Sequence, residues 1–306
     1  MKKKQNLNNL FKKINKNILK KPKWIKTRFP INDIKIKKIK NILKKNNLYS
    51  VCEEALCPNI YECFGKKTLT FMILGDICTR KCAFCAVSKG RPKIIDVNEP
   101  KKIAKTVKKI KLKHVVITSV NRDDLKDGGA NHFLECIKQL KKNSKKTIIE
   151  ILVPDFKRCL NSAIEIISES PPNIFNHNIE SVPRLYNKVR KGANYKNSIK
   201  LLKKFKIKNP NVLTKSGLMI GLGEKKSEII NVMKDLKKNK VNMITIGQYL
   251  QPSIYHTPVK KYFKIEEFEY YKNKAMEIGF DNAFCGPLVR SSYHSDLQAK
   301  KIIKKI

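Results

Sequence analysis

Six of the nine cysteines fall in two triplets, Cys52-x4-Cys57-x5-Cys63 and, fifteen residues on, Cys78-x3-Cys82-x2-Cys85. Each triplet supplies three thiolates, one fewer than the four that close a tetrahedral zinc site or fully ligate an iron–sulfur cubane. Soft thiolates select zinc or iron–sulfur clusters over hard cations. The second spacing is neither the paired CxxC of zinc ribbons nor the C-x2-C-x2-C-x3-C run of ferredoxins. A three-cysteine loop leaves one iron of a 4Fe–4S cluster open, and an open metal position is where a small molecule can bind and react. The rival is a pair of zinc sites, each completed by a distant histidine. A disulfide framework ranks below both, because the chain is long enough for a real core and nothing marks it as secreted. Cys136, Cys159 and Cys285 lack ligand spacing, and the first two sit on helix-like segments as small buried hydrophobes.

The elements that must position these thiols form a strand–helix alternation. Residues 1–48 make an arm with one acidic group, Asp33, among many lysines, and predict a helix around Ile34–Lys45. The first triplet follows in a segment broken by Pro58 and Gly65. From Thr68 come apolar or β-branched runs at 68–75, 114–120, 147–153, 173–179, 214–223 and 242–250. Stretches with i, i+3, i+4 apolar spacing separate them, such as PKKIAKTVKKIKL and NHFLECIKQLKK. Strands alternating with such helices imply βαβ units and an α/β fold with a parallel sheet. Six repeats without a Gly-rich dinucleotide turn favour a barrel-like sheet over a Rossmann sheet, short of eight-strand closure.

Ligands of such sheets bind beyond the carboxyl ends of the strands. The second triplet sits there, as do Ser119 to Asp124, Pro154-Asp155, Asn176-His177-Asn178, Gly221 to Glu224 and Gln248. GLGE at 221–224 lacks the Lys-Ser/Thr of a phosphate-binding loop, so these glycines serve close backbone packing. His177, isolated from other ligands, reads as a hydrogen-bonded or substrate-orienting group. Arg190 ends a short helix toward the same rim, where it can pair with a carboxylate. Near the C-terminus, Arg290-Ser291-Ser292-Tyr293-His294 follows an apolar strip.

At 306 residues the chain should bury about 75% of its unfolded surface and needs no staples. No run approaches the length of a membrane span, and the basic, Asn-rich start has no secretory apolar stretch. Reduced thiols and oxygen-sensitive chemistry then place the chain in the cytoplasm. The net charge of +42 comes from 67 Lys and Arg against 25 Asp and Glu. It is spread along every segment without interleaved aromatics, so it reads as solvated faces rather than a nucleic-acid groove. Such a surface still steers an acidic protein partner toward the chain.

Cys78-Thr79-Arg80-Lys81-Cys82-Ala83-Phe84-Cys85 matches the CxxxCxΦC pattern of radical S-adenosylmethionine enzymes. Together with the upstream triplet and the Arg-Ser-Ser-Tyr near the end, the chain resembles the lipoyl synthase family. The resemblance runs from Lys21-Pro22-Lys23-Trp24 to Gln298-Ala299-Lys300, through TSVNRDDLKDGGANHF, FNHNIESVPRLY, TKSGLMIGLGE and GQYLQPS. It implies a partial (β/α)6 barrel over residues 68–280, an N-terminal extension over 1–67 and a C-terminal extension over 281–306. It implies that Cys78, Cys82 and Cys85 hold a 4Fe–4S cluster whose open iron chelates S-adenosyl-L-methionine. Reductive cleavage there gives methionine and a 5′-deoxyadenosyl radical. Phe84, Ser119, Asn121, Glu150, Asn178 and Arg190 are the expected contacts for that cofactor.

The resemblance further implies that Cys52, Cys57, Cys63 and a serine of the RSSY motif hold an auxiliary 4Fe–4S cluster. That cluster donates sulfur to carbons 6 and 8 of an octanoyl chain carried on a lipoyl domain. Neighbouring residues of an extended segment point to opposite faces, so one serine reaches the cluster, and the family pattern favours Ser292 over Ser291. Expected partners are octanoylated lipoyl domains of 2-oxoacid dehydrogenase complexes or the glycine cleavage H protein. Ferredoxin or flavodoxin is expected as electron donor, and an iron–sulfur carrier as cluster source. One departure is Val189-Arg190-Lys191-Gly192, where the family has Pro in place of Lys191. Two other readings stand beside this one: a methylthiotransferase-type radical enzyme, and a basic zinc-binding module that contacts nucleic acid.

Overall fold

The computed structural model of the chain describes residues 19–25, 34–66, 68–295 and 297–298. Most of the N-terminal arm expected over 1–48, and the last residues of the C-terminal extension, lie outside that set. Ten strands occur among the described residues: β1 Tyr49–Ser50, β2 Thr70–Ile73, β3 Ile77–Cys78, β4 Ser88–Lys89, β5 His114–Ser119, β6 Ile148–Leu152, β7 Ile174–Asn176, β8 Leu213–Ile220, β9 Met243–Gln248 and β10 Asn282–Gly286. Eight of them form one open sheet in the order β1-β2-β5-β6-β7-β8-β9-β10, and β3 and β4 form a separate parallel pair.

The six expected strands are present in the expected order. The sheet adds one strand at each edge: β1 runs antiparallel to β2, and β10 runs parallel to β9. Residues from 281 therefore begin with a seventh parallel strand, and only the residues after Gly286 leave the sheet.

Helices cover the outer face. Glu99–Ile110 starts with Pro100 in its first turn, where a missing N–H costs nothing, and buries Ile103, Ala104 and Val107 on one stripe. The helix Ile34–Lys45 lies where the sequence places it, with Ile36, Ile39 and Leu43 buried. Covered on both sides, central strands such as β2 and β9 are buried along their whole length rather than alternating with solvent.

Alternation along the strands divides the inner face into layers that cut obliquely across the pairing register. Alternate residues share a face, and a parallel strand rises about 3.3 Å per residue, so one layer is about 6.6 Å deep. The lowest layer is an apolar plug of Ile174, Leu213 and Met243 with Ile148 against them. Above it lie Glu150, Asn176 and Lys215, all fully buried; Asn176 and Lys215 are register partners, while Glu150 pairs with Ile174, two residues before Asn176. Lys215 Nζ donates to Glu150 Oε1 at 2.9 Å, Asn176 Nδ2 does so at 2.9 Å, and His114 Nε2 lies 3.2 Å from Glu150 Oε2. Burial opposes the Glu150 charge, yet Lys215 and His114 together bring its carboxyl down to about 2. The next layer, with Thr118, Leu152, Gly217 and Thr245, faces a cavity.

Candidate active site

The loop from Cys78 to Cys85 leaves the sheet at the carboxyl end of β2, the rim expected from the strand order. The Cys78 sulfur accepts N–H groups from Arg80 at 3.4 Å and from the Asn121 backbone at 3.4 Å. Arg80, inside the loop, is buried. Its Nε and Nη2 donate to Asp123 at 2.7 Å each, and its Nη1 donates to Asp155 at 2.7 Å. One guanidinium thus ties the loop to the residues following β5 and β6, an arrangement that fixes planar donors geometrically. Ala83 N donates to Val189 O at 3.0 Å, Thr257 N to Ala83 O at 3.0 Å, and His256 Nε2 bonds Cys85 O at 3.1 Å.

Above this loop opens a cavity of about 470 Å³. Cys78, Cys82 and Cys85 line it together with Phe84, Ser119, Asn121, Asn178 and Arg190. Burial raises the free thiols of Cys82 and Cys85, the latter to about 12, so a cationic centre must compensate any thiolates held there. Ser119 Oγ is buried with no hydrogen-bond partner among the described residues, a donor and acceptor left for a ligand. Arg190 Nη1 donates to Asn178 O at 3.0 Å, Tyr186 Oη at 3.0 Å and Ser198 Oγ at 3.2 Å. Gly192 still has φ +90, so the turn after Arg190 forms with Lys191 in place of proline.

Glu150 departs from expectation. It does not line the cavity, because the register sets it one layer below Leu152, with its carboxylate committed to Lys215, His114 and Asn176. Glu180, by contrast, lines the cavity and was not anticipated. It holds a left-handed φ of 65°, accepts Asn178 Nδ2 at 3.0 Å and has its carboxyl raised by burial. The only sequence trace of it is an acid two residues beyond Asn178.

The first triplet stands beside the same cavity. Ser50 caps the turn Val51–Glu54 by accepting Cys52 N at 3.2 Å, and Cys63 sits in the helix Ile60–Gly65. A narrow cleft is lined by Cys52, Cys57 and Cys63 with Ser292, and Cys52, Cys57 and Ser292 also border the large cavity. Burial raises the thiols of Cys52, to about 12, and of Cys63.

The two serines of the RSSY motif differ in surroundings. Ser291 Oγ donates to Asn178 Oδ1 at 2.6 Å on the barrel side, whereas Ser292 borders the thiol cleft. The segment can lie this close because Gly217 and Gly247 have no Cβ. One built on Gly247 would be 2.0 Å from Val289 O, and one on Gly217 would be 2.6 Å from both Asn178 Oδ1 and Ser291 Oγ.

The donor sets suit clusters. Each triplet offers soft thiolates around a space, and among the described residues no three His, Cys, Asp or Glu side chains converge as a single ion requires. The zinc reading needs a histidine for each site, and none of the five lines the large cavity or the thiol cleft. His114 bonds Glu150, His132 bonds Glu99, His177 bonds Val153 O and Ser198, His256 bonds Ser253 and Cys85 O, and His294 bonds Glu62.

Comparison with known proteins agrees with this geometry. Residues 72–236 match the radical SAM superfamily, and residues 1–57 match the N-terminal domain of lipoyl synthase. A lipoyl synthase of Wigglesworthia glossinidia brevipalpis is 58% identical over 94% of this chain and 92% of its own length. One from Aeromonas hydrophila is 56% identical over 94% of this chain and 89% of its own. In fold, the chain resembles Streptococcus suis SuiB bound to S-adenosylmethionine, with a TM-score of 0.56 and 14% identity over 96% of this chain and 63% of that one. With cysteines of both triplets facing one cavity and more than half its residues shared with these relatives, the chain belongs to the lipoyl synthase family of radical S-adenosylmethionine enzymes.

Proposed function

We propose that this chain inserts sulfur at carbons 6 and 8 of an octanoyl group on a lipoyl domain, with the Cys78, Cys82 and Cys85 loop and the Cys52, Cys57, Cys63 and Ser292 cleft each holding one 4Fe–4S cluster. The observation that carries the reading is that Cys52 and Cys57 of the first triplet border the same cavity as all three cysteines of the second. Bound there, the clusters and S-adenosyl-L-methionine supply an electron, a carbon radical and sulfur, none of which a side chain can provide.

The chain's own residues bind, orient and exclude water. Arg80, clamped by Asp123 and Asp155, holds the cysteine loop in place, while the backbone and side-chain amides of Asn121 face the Cys78 sulfur. Ser119, Asn121, Asn178 and Arg190, with the Phe84 ring, are the proposed contacts for S-adenosylmethionine. Glu150 supports this floor from one layer below instead of touching the cofactor. A serine oxygen is a harder, less matched iron ligand than thiolate, which suits a cluster that must come apart.

Residues 1–67 and those after Gly286 serve as extensions that bring the auxiliary site to a barrel expected over 68–280 and lengthened by β10. Octanoylated domains of 2-oxoacid dehydrogenases or the glycine cleavage H protein are the proposed substrates, and the net charge of +42 suits an acidic one. Ferredoxin or flavodoxin as electron source, an iron–sulfur carrier as cluster source and a cytoplasmic setting complete the reading. No helix among the described residues is long and apolar enough to cross a membrane.

Reconstituted Cys82→Ala and Cys57→Ala variants test the division of labour. Cys82→Ala should abolish 5′-deoxyadenosine formation. Cys57→Ala should retain it, lose about four of about eight irons, and make no lipoyl product. Lipoyl product from Cys57→Ala would overturn the assignment.

A further inference from the structure

The helix Ile60–Gly65 carries Cys63 and, one residue before it, Glu62. Glu62 Oε2 accepts Tyr293 Oη at 2.8 Å, and Oε1 pairs with His294 Nε2 at 3.0 Å and Lys66 Nζ at 2.8 Å. Tyr293 and His294 directly follow Ser292, and their rings lie 4.1 Å apart centroid to centroid, which presents both donors to one carboxylate. Upstream, Asn59 of the same segment donates through Nδ2 to Leu288 O at 2.6 Å. Ser291 is fastened on the barrel side to Asn178.

We propose that Glu62 is a positioning residue that fastens the C-terminal segment to the Cys63 helix and so holds the Ser292 hydroxyl over the thiol cleft. The fastening is a contact of this chain with itself, and only its consequence for the auxiliary site rests on the function proposed above. Lys66 is an exposed partner within the same turn and contributes little to it. Tyr293 and His294 are different in kind, because they join parts of the chain 231 and 232 residues apart.

Hydrogen exchange in the cluster-free full chain tests the fastening directly. Tyr293 N bonds Arg290 O, Ser295 N bonds Ser292 O and Leu297 N bonds His294 O, so these amides report the segment. Glu62→Ala should speed their exchange about fivefold or more, the effect of losing two partly exposed hydrogen bonds to a charged acceptor. Glu62→Gln, which keeps an acceptor for Tyr293, should fall between, and Lys66→Ala should match wild type. After anaerobic reconstitution, Glu62→Ala should release part of its iron to a chelator several-fold faster than wild type. Should Glu62→Ala fail to fold, the Tyr293→Phe, His294→Ala double variant cuts the same contact from its other side.

Wild-type exchange at these amides in both the Glu62→Ala and the double variant would overturn the proposal. Faster exchange beside a Cys57→Ala variant that keeps its full iron would support the fastening while removing the cluster reading. The reverse pair, wild-type exchange with iron lost from Cys57→Ala, would remove the fastening alone.

Discussion

Replacing Gly247 with alanine should separate the C-terminal segment from the barrel without unfolding the barrel. The new Cβ would sit 2.0 Å from Val289 O and 3.1 Å from both the Val289 carbonyl carbon and Arg290 Nη1. Unstrained heavy-atom contacts lie near 3.5 Å, so something must move by about 1.5 Å. Strand β9 is paired on both sides, Gly247 opposite Met219 and Gly286, and cannot move that far. The segment after Gly286 must therefore yield. Its 2.6 Å bond from Ser291 to Asn178 does not survive such a shift, and Ser292 leaves the cleft with it. The overpacking costs about 1–3 kcal/mol, which falls on the segment and not on the whole sheet.

Urea unfolding should therefore show a modest loss. Exchange at the Tyr293 and Ser295 amides should rise sharply, and reconstitution should load closer to about four irons than about eight. Gly223→Ala is the control. It meets nothing nearer than Lys260 Cγ at 3.6 Å, so it carries the strain of φ +107 without a collision. Full iron and unchanged exchange in Gly247→Ala would refute the reasoning.

Arg190→Ala should weaken S-adenosylmethionine binding by about 1.5–3 kcal/mol if the guanidinium meets the methionyl carboxylate, and unchanged affinity in equilibrium dialysis would count against that contact. Ser292→Ala should alter the Mössbauer spectrum of the auxiliary cluster and cripple sulfur insertion, with Ser291→Ala milder; an unaltered spectrum with normal turnover would exclude Ser292 as a ligand. His177, buried and near Arg190, has its pKa lowered from 6.5 to about 3. Between those values the unfolded chain binds a proton that the folded chain refuses, so stability rises with pH there by up to about 1.4 kcal/mol per pH unit. His177→Gln should flatten that slope in urea unfolding compared between about pH 5 and about pH 7, and an undiminished slope would exclude His177 as its source.

Element order and the ligand loops were legible because they depend on local pattern. Apolar runs and helical spacing are properties of neighbouring residues, and six cysteines at tight intervals identify themselves. Depth was not legible. Period-two alternation puts Glu150 on the inner face but gives no layer, and the layer follows only from its partners Lys215, Asn176 and His114, which arrive from three other strands. The glycines of β8 and β9 were hidden for a related reason. Gly217 and Gly247 look like breaks in apolar runs until residues 289–291, far along the chain, are seen lying over them. Glu180 was hidden because nothing local signals that a glutamate will adopt φ 65°. Arg80 stood in view inside the cysteine motif, but its role depends on Asp123 and Asp155 arriving from two other strands.

The contact between Glu62 and Tyr293 also sets an order of events during synthesis. The Cys78–Cys85 loop packs against Asn121, Asp123, Asp155 and Val189, all made well before the end of translation. The thiol cleft cannot be finished so early, because its wall includes Arg290, Ser292 and Tyr293, which emerge only after every strand of the sheet. A polypeptide cut short after β10 keeps every strand of its sheet and still lacks that wall. On the cleft assignment proposed above, such a truncated product has a barrel to fold but no finished place to load the auxiliary cluster.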